Sequence, residues 1–111
     1  MMKTNHSPCL PIVLLGLMVL FGSVARAESP VILVLGDSLS AGYGIPVEKG
    51  WVSLLQRRLV ESGFPYRVVN ASISGDTTSG GLSRLPAALE LHRPAIVVLE
   101  LGANDGLRGQ P

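Results

Sequence analysis

Val31-Ile32-Leu33-Val34-Leu35-Gly36-Asp37-Ser38-Leu39-Ser40 is an unbroken apolar run that ends in a glycine and a cluster of small polar residues. A short β-branched run closed by turn-forming residues predicts a strand, and its lack of alternation predicts one buried on both faces, as in a parallel sheet. The strand therefore delivers a serine hydroxyl at its exit. A second run of the same kind, Ala95 to Leu101, ends in Gly102-Ala103-Asn104-Asp105 and aims an amide at the same edge. A third segment, Tyr66 to Asn70, mixes polar and apolar residues and predicts a flanking strand.

Two helical stretches lie between these strands. Trp51, Leu54, Leu55 and Leu59 recur at helical spacing, and Gly63 follows where a left-handed C-terminal cap is expected. That spacing places Trp51 in the core rather than at a substrate platform. The second stretch, Thr78 to His92, carries Leu82, Leu85 and Leu89 on one face. Pro86 lacks the N–H that would bond back to Leu82, so a kink or a restart is expected there. Strands alternating with helices predict an α/β fold with a doubly wound parallel sheet in the spatial order 2-1-3. Ser38, Gly75 and Asn104 each lie just beyond one strand's end, where ligands bind in such sheets.

Residues 1–27 read as a secretory signal peptide: Lys3 in a polar start, an apolar stretch from Leu10 to Phe21, then Ala25-Arg26-Ala27 as a small-x-small cleavage site. The stretch is shorter than the roughly 18 to 20 residues needed to span a bilayer, so no stable membrane anchor is expected after cleavage. Cys9 precedes the apolar stretch and leaves with the signal. Residues 28–111 then hold seven basic and eight acidic residues and no cysteine, a formal charge of −1. The densest basic cluster is Arg57-Arg58, a pair expected on a solvated helix face, so nucleic acid is not an expected partner. The 84 residues from Glu28 to Pro111 make one domain at most, near the lower limit for independent stability.

A serine hydroxyl attacks only when a base takes its proton, and the oxyanion it creates must meet preorganised donors. Ser38 fits the nucleophile, with its own N–H, that of Gly75 and the side-chain amide of Asn104 as donors. Asp37 is expected to order the turn, and Asp76 and Asp105 read as solvated or turn residues.

Gly36-Asp37-Ser38-Leu39-Ser40, Asn70-Ala71-Ser72-Ile73-Ser74-Gly75-Asp76 and Gly102-Ala103-Asn104-Asp105-Gly106-Leu107-Arg108-Gly109 resemble, in order, the first three blocks of the SGNH (GDSL) hydrolases. The likeness extends over Val31 to Gln110 and is strongest to the secreted bacterial branch of arylesterases, acyl-CoA thioesterases and lysophospholipases. It implies a flavodoxin-like sheet, Ser38 as nucleophile, Gly75 and Asn104 as oxyanion donors, and Gly106 to Gly109 as a mobile loop beside the acyl site. The implied substrate is a small acyl ester or thioester, with no metal or organic cofactor. The family's fourth block, Asp-x-x-His, has no counterpart, since no aspartate or histidine follows Asp105. The chain is therefore expected to be the N-terminal part of such a domain, lacking its C-terminal strands and helices and inactive alone.

His92 falls before the third strand, about 15 to 20 Å from Ser38 at ~3.3 Å per residue, beyond the reach of a general base. Two other readings carry distinct expectations. Gly75 to Gly81 at a helix start could cradle an anion, as in a flavin or phosphate binder, although Asp76 opposes an anion and no Gly-Lys-Ser/Thr loop is present. A non-catalytic acyl- or glycan-binding remnant on the same fold is the other. Oligomeric state is left open.

Overall fold

The computed structural model describes residues 27–111. The signal peptide expected over residues 1–27 lies outside them apart from Ala27. The elements are β1 (Val31–Gly36), α1 (Ser38–Ala41), a 3-10 turn (Val47–Lys49), α2 (Trp51–Glu61), β2 (Arg67–Asn70), α3 (Thr78–His92), β3 (Ile96–Glu100) and α4 (Ala103–Leu107). The three strands are parallel in the order β2-β1-β3. Leu33 sits opposite Val69 on one side and Val97 on the other. Order and orientation are those the apolar runs predict, with strand boundaries shifted by one or two residues.

β1 is the core. All six of its residues are buried, and Leu33, Val34 and Leu35 have no exposed surface. Its neighbours take up its backbone groups on both edges, and helices cover its faces, which is why a run without alternation is stable there.

α2 does not present the predicted stripe. Val52 is buried, Leu55 and Leu59 are half-buried, Leu54 is 46% exposed, and Trp51 stands at the rim rather than in the core. The rotation follows from Gln56. Its Nε2 donates to Tyr66 O at 3.1 Å and its Oε1 accepts from Val68 N at 2.7 Å, so the side chain satisfies the outer edge of β2. An unpaired strand edge costs free energy when covered, and Gln56 meets that demand only if it faces β2. The helix then ends as expected in a Schellman motif, with Gly63 N–H on Val60 O, Phe64 N–H on Leu59 O and Gly63 at φ +76°.

α3 runs unbroken through Pro86, so the expected restart does not occur. Its tightest contact with the sheet is at Gly81: a Cβ there would run into the Leu101 side chain and stand 3.6 Å from Leu35 Cδ2. Glycine lets the helix backbone lie against β1. The leucine stripe is only partly covered, because Leu82 is 71% exposed.

β3 departs from the expectation that it is covered on both faces. Ile96 and Leu99 are 44% and 60% exposed, and Leu35, Leu82, Leu85, Leu99 and Leu101 line an apolar cavity of about 410 Å³ beside it. Among the described residues β1 is the only strand paired with β3, and nothing lies on its far side. An open apolar strand edge templates association. Residues 28–111 expressed alone are therefore expected to self-associate and to unfold without a sharp transition, and Leu99→Lys should shift the population towards monomer. Sedimentation velocity with circular dichroism checks this; a monomer with one steep transition would contradict it.

Candidate active site

The turn after β1 is built around Asp37. This carboxylate is 1% exposed, caps α1, and accepts the Leu39 N–H at 3.0 Å through Oδ1, as expected of a residue ordering the turn. Ser38 is the first residue of α1 and half-buried. Its N–H is one of the donors that a helix start leaves without an intrahelical partner. Its hydroxyl makes no hydrogen bond among the described residues.

A four-residue helix does not persist by itself. α1 is held by Gly42 N–H on Ser38 O at 3.1 Å, by Asn70 Nδ2 donating to Ser40 O at 2.7 Å, and by Ser40 Oγ donating to Glu100 Oε1 at 2.6 Å. Trp51 Nε1 donates to the same Ser40 oxygen at 3.2 Å. The indole's place at the rim thus has a polar cause: its N–H needs an acceptor, and Ser40 supplies it.

The loop after β2 continues along the end of β1, with Ala71 N–H on Val34 O, Ile73 N–H on Gly36 O and Gly36 N–H on Ser72 Oγ. It then turns at Ile73 to Asp76, closed by Asp76 N–H on Ile73 O at 3.1 Å. Gly75 occupies the third position at φ +83°, the left-handed conformation a type II turn requires there. Its N–H engages no acceptor among the described residues. Its carbonyl accepts Arg108 Nη2 at 2.8 Å, which brings the Gly106 to Gly109 segment against this turn.

Asn104 lies in α4, beyond β3. Its Nδ2 donates to Asp76 O at 2.8 Å and faces Asp37 Oδ2 at 3.4 Å. The side-chain amide therefore joins the serine turn to the glycine turn, and all three sequence blocks meet at one sheet edge. His92 ends α3 at the opposite edge, beside Pro30, Val31 and Arg67 around a cavity of about 630 Å³. Among the described residues no imidazole stands near Ser38.

Asp76 closes a turn, as one of the two readings of it has it, but its carboxylate is bonded rather than solvated, and Asp105 is neither solvated nor in a turn. Asp76 accepts Arg84 Nη2 at 2.7 Å and Nε at 3.0 Å, both on Oδ2, and its Oδ1 accepts the Thr77 N–H at 3.0 Å. Asp105 is buried and accepts both the N–H of Thr78, at 2.8 Å, and its hydroxyl. Both carboxylates serve the unpaired donors at the start of α3, which also attracts negative charge through the helix dipole. This weighs against the phosphate-cradle reading, since the protein's own acids take the N–H groups of Thr77 and Thr78. Neither partnership shows in the sequence, because Asp105 and Thr78 are far apart along the chain and Arg84 reads as an ordinary exposed helix residue.

Fold and site define a parallel α/β unit with a serine at a strand exit, and the chain belongs to the GDSL-like lipase/acylhydrolase family, whose profile matches residues 34–111. It is 55% identical over 103 residues to esterase TesA of Pseudomonas aeruginosa, covering 93% of this chain and 47% of that protein. It is 47% identical over 104 residues to thioesterase 1/protease 1/lysophospholipase L1 of Escherichia coli, covering 94% and 45%. The crystal structure of TesA superposes with a TM-score of 0.72 at 62% identity, over 73% of this chain and 45% of that one. The chain thus spans a little under half the length of the curated relatives it matches.

The Asp105 carboxyl is held below its ordinary value of 3.8, first by the Thr78 hydroxyl and then by the Thr78 N–H, both donating to the ionised form against the opposing effect of burial. A carboxyl whose folded pKa is lowered stabilises the fold fully above its unfolded pKa and loses that contribution as pH falls through the folded one. In the full-length protein, Asp105→Asn is expected to lower Tm at about pH 6, with the gap to wild type closing progressively below about pH 4. Thermal melts across this range check it; a gap independent of pH would contradict the assignment.

Proposed function

We propose that residues 28–111 carry the nucleophile and oxyanion-binding parts of a secreted or periplasmic serine hydrolase that cleaves carboxylic esters or thioesters. The observation that supports this best is the meeting of Ser38, the unengaged Gly75 N–H and the Asn104 amide at one sheet edge, tied together through Asp37 and Asp76. Family membership and the names of the relatives support the same reaction class. Export is proposed from the signal-like residues 1–27; among the described residues no helix is long and apolar enough to cross a membrane.

In this reading Ser38 Oγ bonds to the acyl carbon while its proton passes to a base. The carbonyl π-electrons move onto oxygen, which the Ser38 and Gly75 N–H groups and Asn104 Nδ2 receive. Collapse of that oxyanion expels the alcohol or thiol, protonated by the same base, and water repeats the sequence on the acyl-enzyme. The base comes from outside residues 27–111, from the Asp-x-x-His block that the family resemblance implies, because His92 is on the wrong edge of the sheet. Asn104 Nδ2 keeps one N–H on Asp76 O and turns the second towards the oxyanion. Preorganised donors of this kind act without reorienting solvent, which is why the carboxylate and carbonyl that hold Asn104 matter to rate.

In the full-length protein, Ser38→Ala is expected to abolish hydrolysis of p-nitrophenyl esters with little change in Tm, since the side chain is half-exposed and unbonded. Asn104→Ala should lower kcat by roughly 10²- to 10³-fold with a smaller effect on KM, the usual cost of losing one oxyanion donor. Steady-state kinetics on both variants checks this. Turnover surviving in Ser38→Ala would remove the nucleophile assignment, and binding without any wild-type turnover would favour a non-catalytic acyl-binding module.

A further inference from the structure

Arg84 lies two turns into α3, away from Ser38, yet it holds both ends of the loop that carries Gly75. Its Nη1 donates to Ala71 O at 2.7 Å, where the chain leaves β2. Its Nε and Nη2 donate to Asp76 Oδ2 at 3.0 and 2.7 Å, where the chain enters α3. One planar guanidinium thus fixes the span of the loop against a rigid helix, a geometry that a lysine's point charge cannot reproduce. The pair is largely shielded, with side-chain exposures of 27% for Arg84 and 12% for Asp76.

Asp76 is where this clamp meets the site. Its N–H closes the turn on Ile73 O, and that closure sets the direction of the Gly75 N–H. Its carbonyl accepts Asn104 Nδ2 at 2.8 Å. A single residue therefore locates two of the three oxyanion donors, and Arg84 locates that residue. Resting on the acyl-enzyme reading given above, we propose that Arg84 is a positioning residue of the oxyanion site, acting through Asp76 on Gly75 and Asn104 without touching substrate.

The consequence is a specific division of effects. Donors displaced by a fraction of an ångström still admit the ester but no longer meet the oxyanion, so the loss falls on kcat. In the full-length protein, Arg84→Ala is expected to lower kcat about 10- to 100-fold while KM stays within about twofold, the scale of a small misplacement of reacting groups. Guanidinium ions added at tens of millimolar should raise the Arg84→Ala kcat several-fold, and leave wild type and Asn104→Ala unchanged. Arg84→Lys, which keeps a cation opposite Asp76 but cannot also reach Ala71 O, should show a smaller kcat loss and no guanidinium response. It carries the test if Arg84→Ala fails to fold.

An unchanged kcat in folded Arg84→Lys and Arg84→Ala, with Ser38→Ala inactive, would overturn the Arg84 proposal alone. A kcat loss matched by the loss of folded protein and unresponsive to guanidinium would also overturn it. Turnover surviving in Ser38→Ala would overturn the acyl-enzyme reading and this proposal with it.

Discussion

Parallel pairing of β1 on both of its edges is the constraint from which the site follows. In a parallel sheet every strand exits at the same edge, so three connections far apart in sequence are forced into one crevice. β1 can hold the middle position only because Val31 to Leu35 bury their side chains on both faces. Each such side chain contributes on the order of 1.5–3 kcal/mol as an upper estimate. A polar residue at Leu33 or Val34 would remove the strand and, with it, the meeting of Ser38, Gly75 and Asn104.

Apolar burial brings the three connections together without fixing their polar groups to the tolerance chemistry needs. That is achieved by hydrogen bonds between elements. Ser40 and Glu100 tie the serine helix to the end of β3, Asp105 ties α4 to the start of α3, and Arg84 ties the glycine loop to α3. Each bond is worth only about 0.5–1.5 kcal/mol net, or about 1.5–3 where a charge takes part. Leaving one partner buried and alone costs comparably, so these contacts select one arrangement of the loops more than they stabilise the domain as a whole.

The strands, their order and the positions of Ser38, Gly75 and Asn104 were legible in the sequence because each rests on a local signal: an unalternating apolar run, a glycine at a turn, an amide after a strand. Helical spacing places Trp51 in the core, but spacing alone does not say where an indole N–H finds its acceptor, here Ser40. Leu54 was misplaced because Gln56, which looks like a surface residue, is drawn to the edge of β2. Asp105 reads as a loop acid because Thr78 is distant along the chain, and Asp76 does so because its partner Arg84 reads as an exposed helix residue. Pro86 leads one to expect a kink or a restart in α3; the restart does not occur, because one lost backbone bond does not outweigh a helix anchored at Gly81 and capped by Thr77. Polar pairings of this kind are set by tertiary proximity, which residue spacing does not encode.

The central claim is that three donors converge on a charge that develops at the Ser38 acyl carbon. A crystal structure of the full-length protein after reaction with a serine-directed phosphonate tests it directly, since the phosphoryl oxygen stands in for the oxyanion. A covalent bond to Ser38 Oγ is expected, with that oxygen about 2.7–3.1 Å from the Ser38 N, the Gly75 N and Asn104 Nδ2. A phosphonate on another serine, or on Ser38 with its oxygen turned away from Gly75 and Asn104, would contradict it.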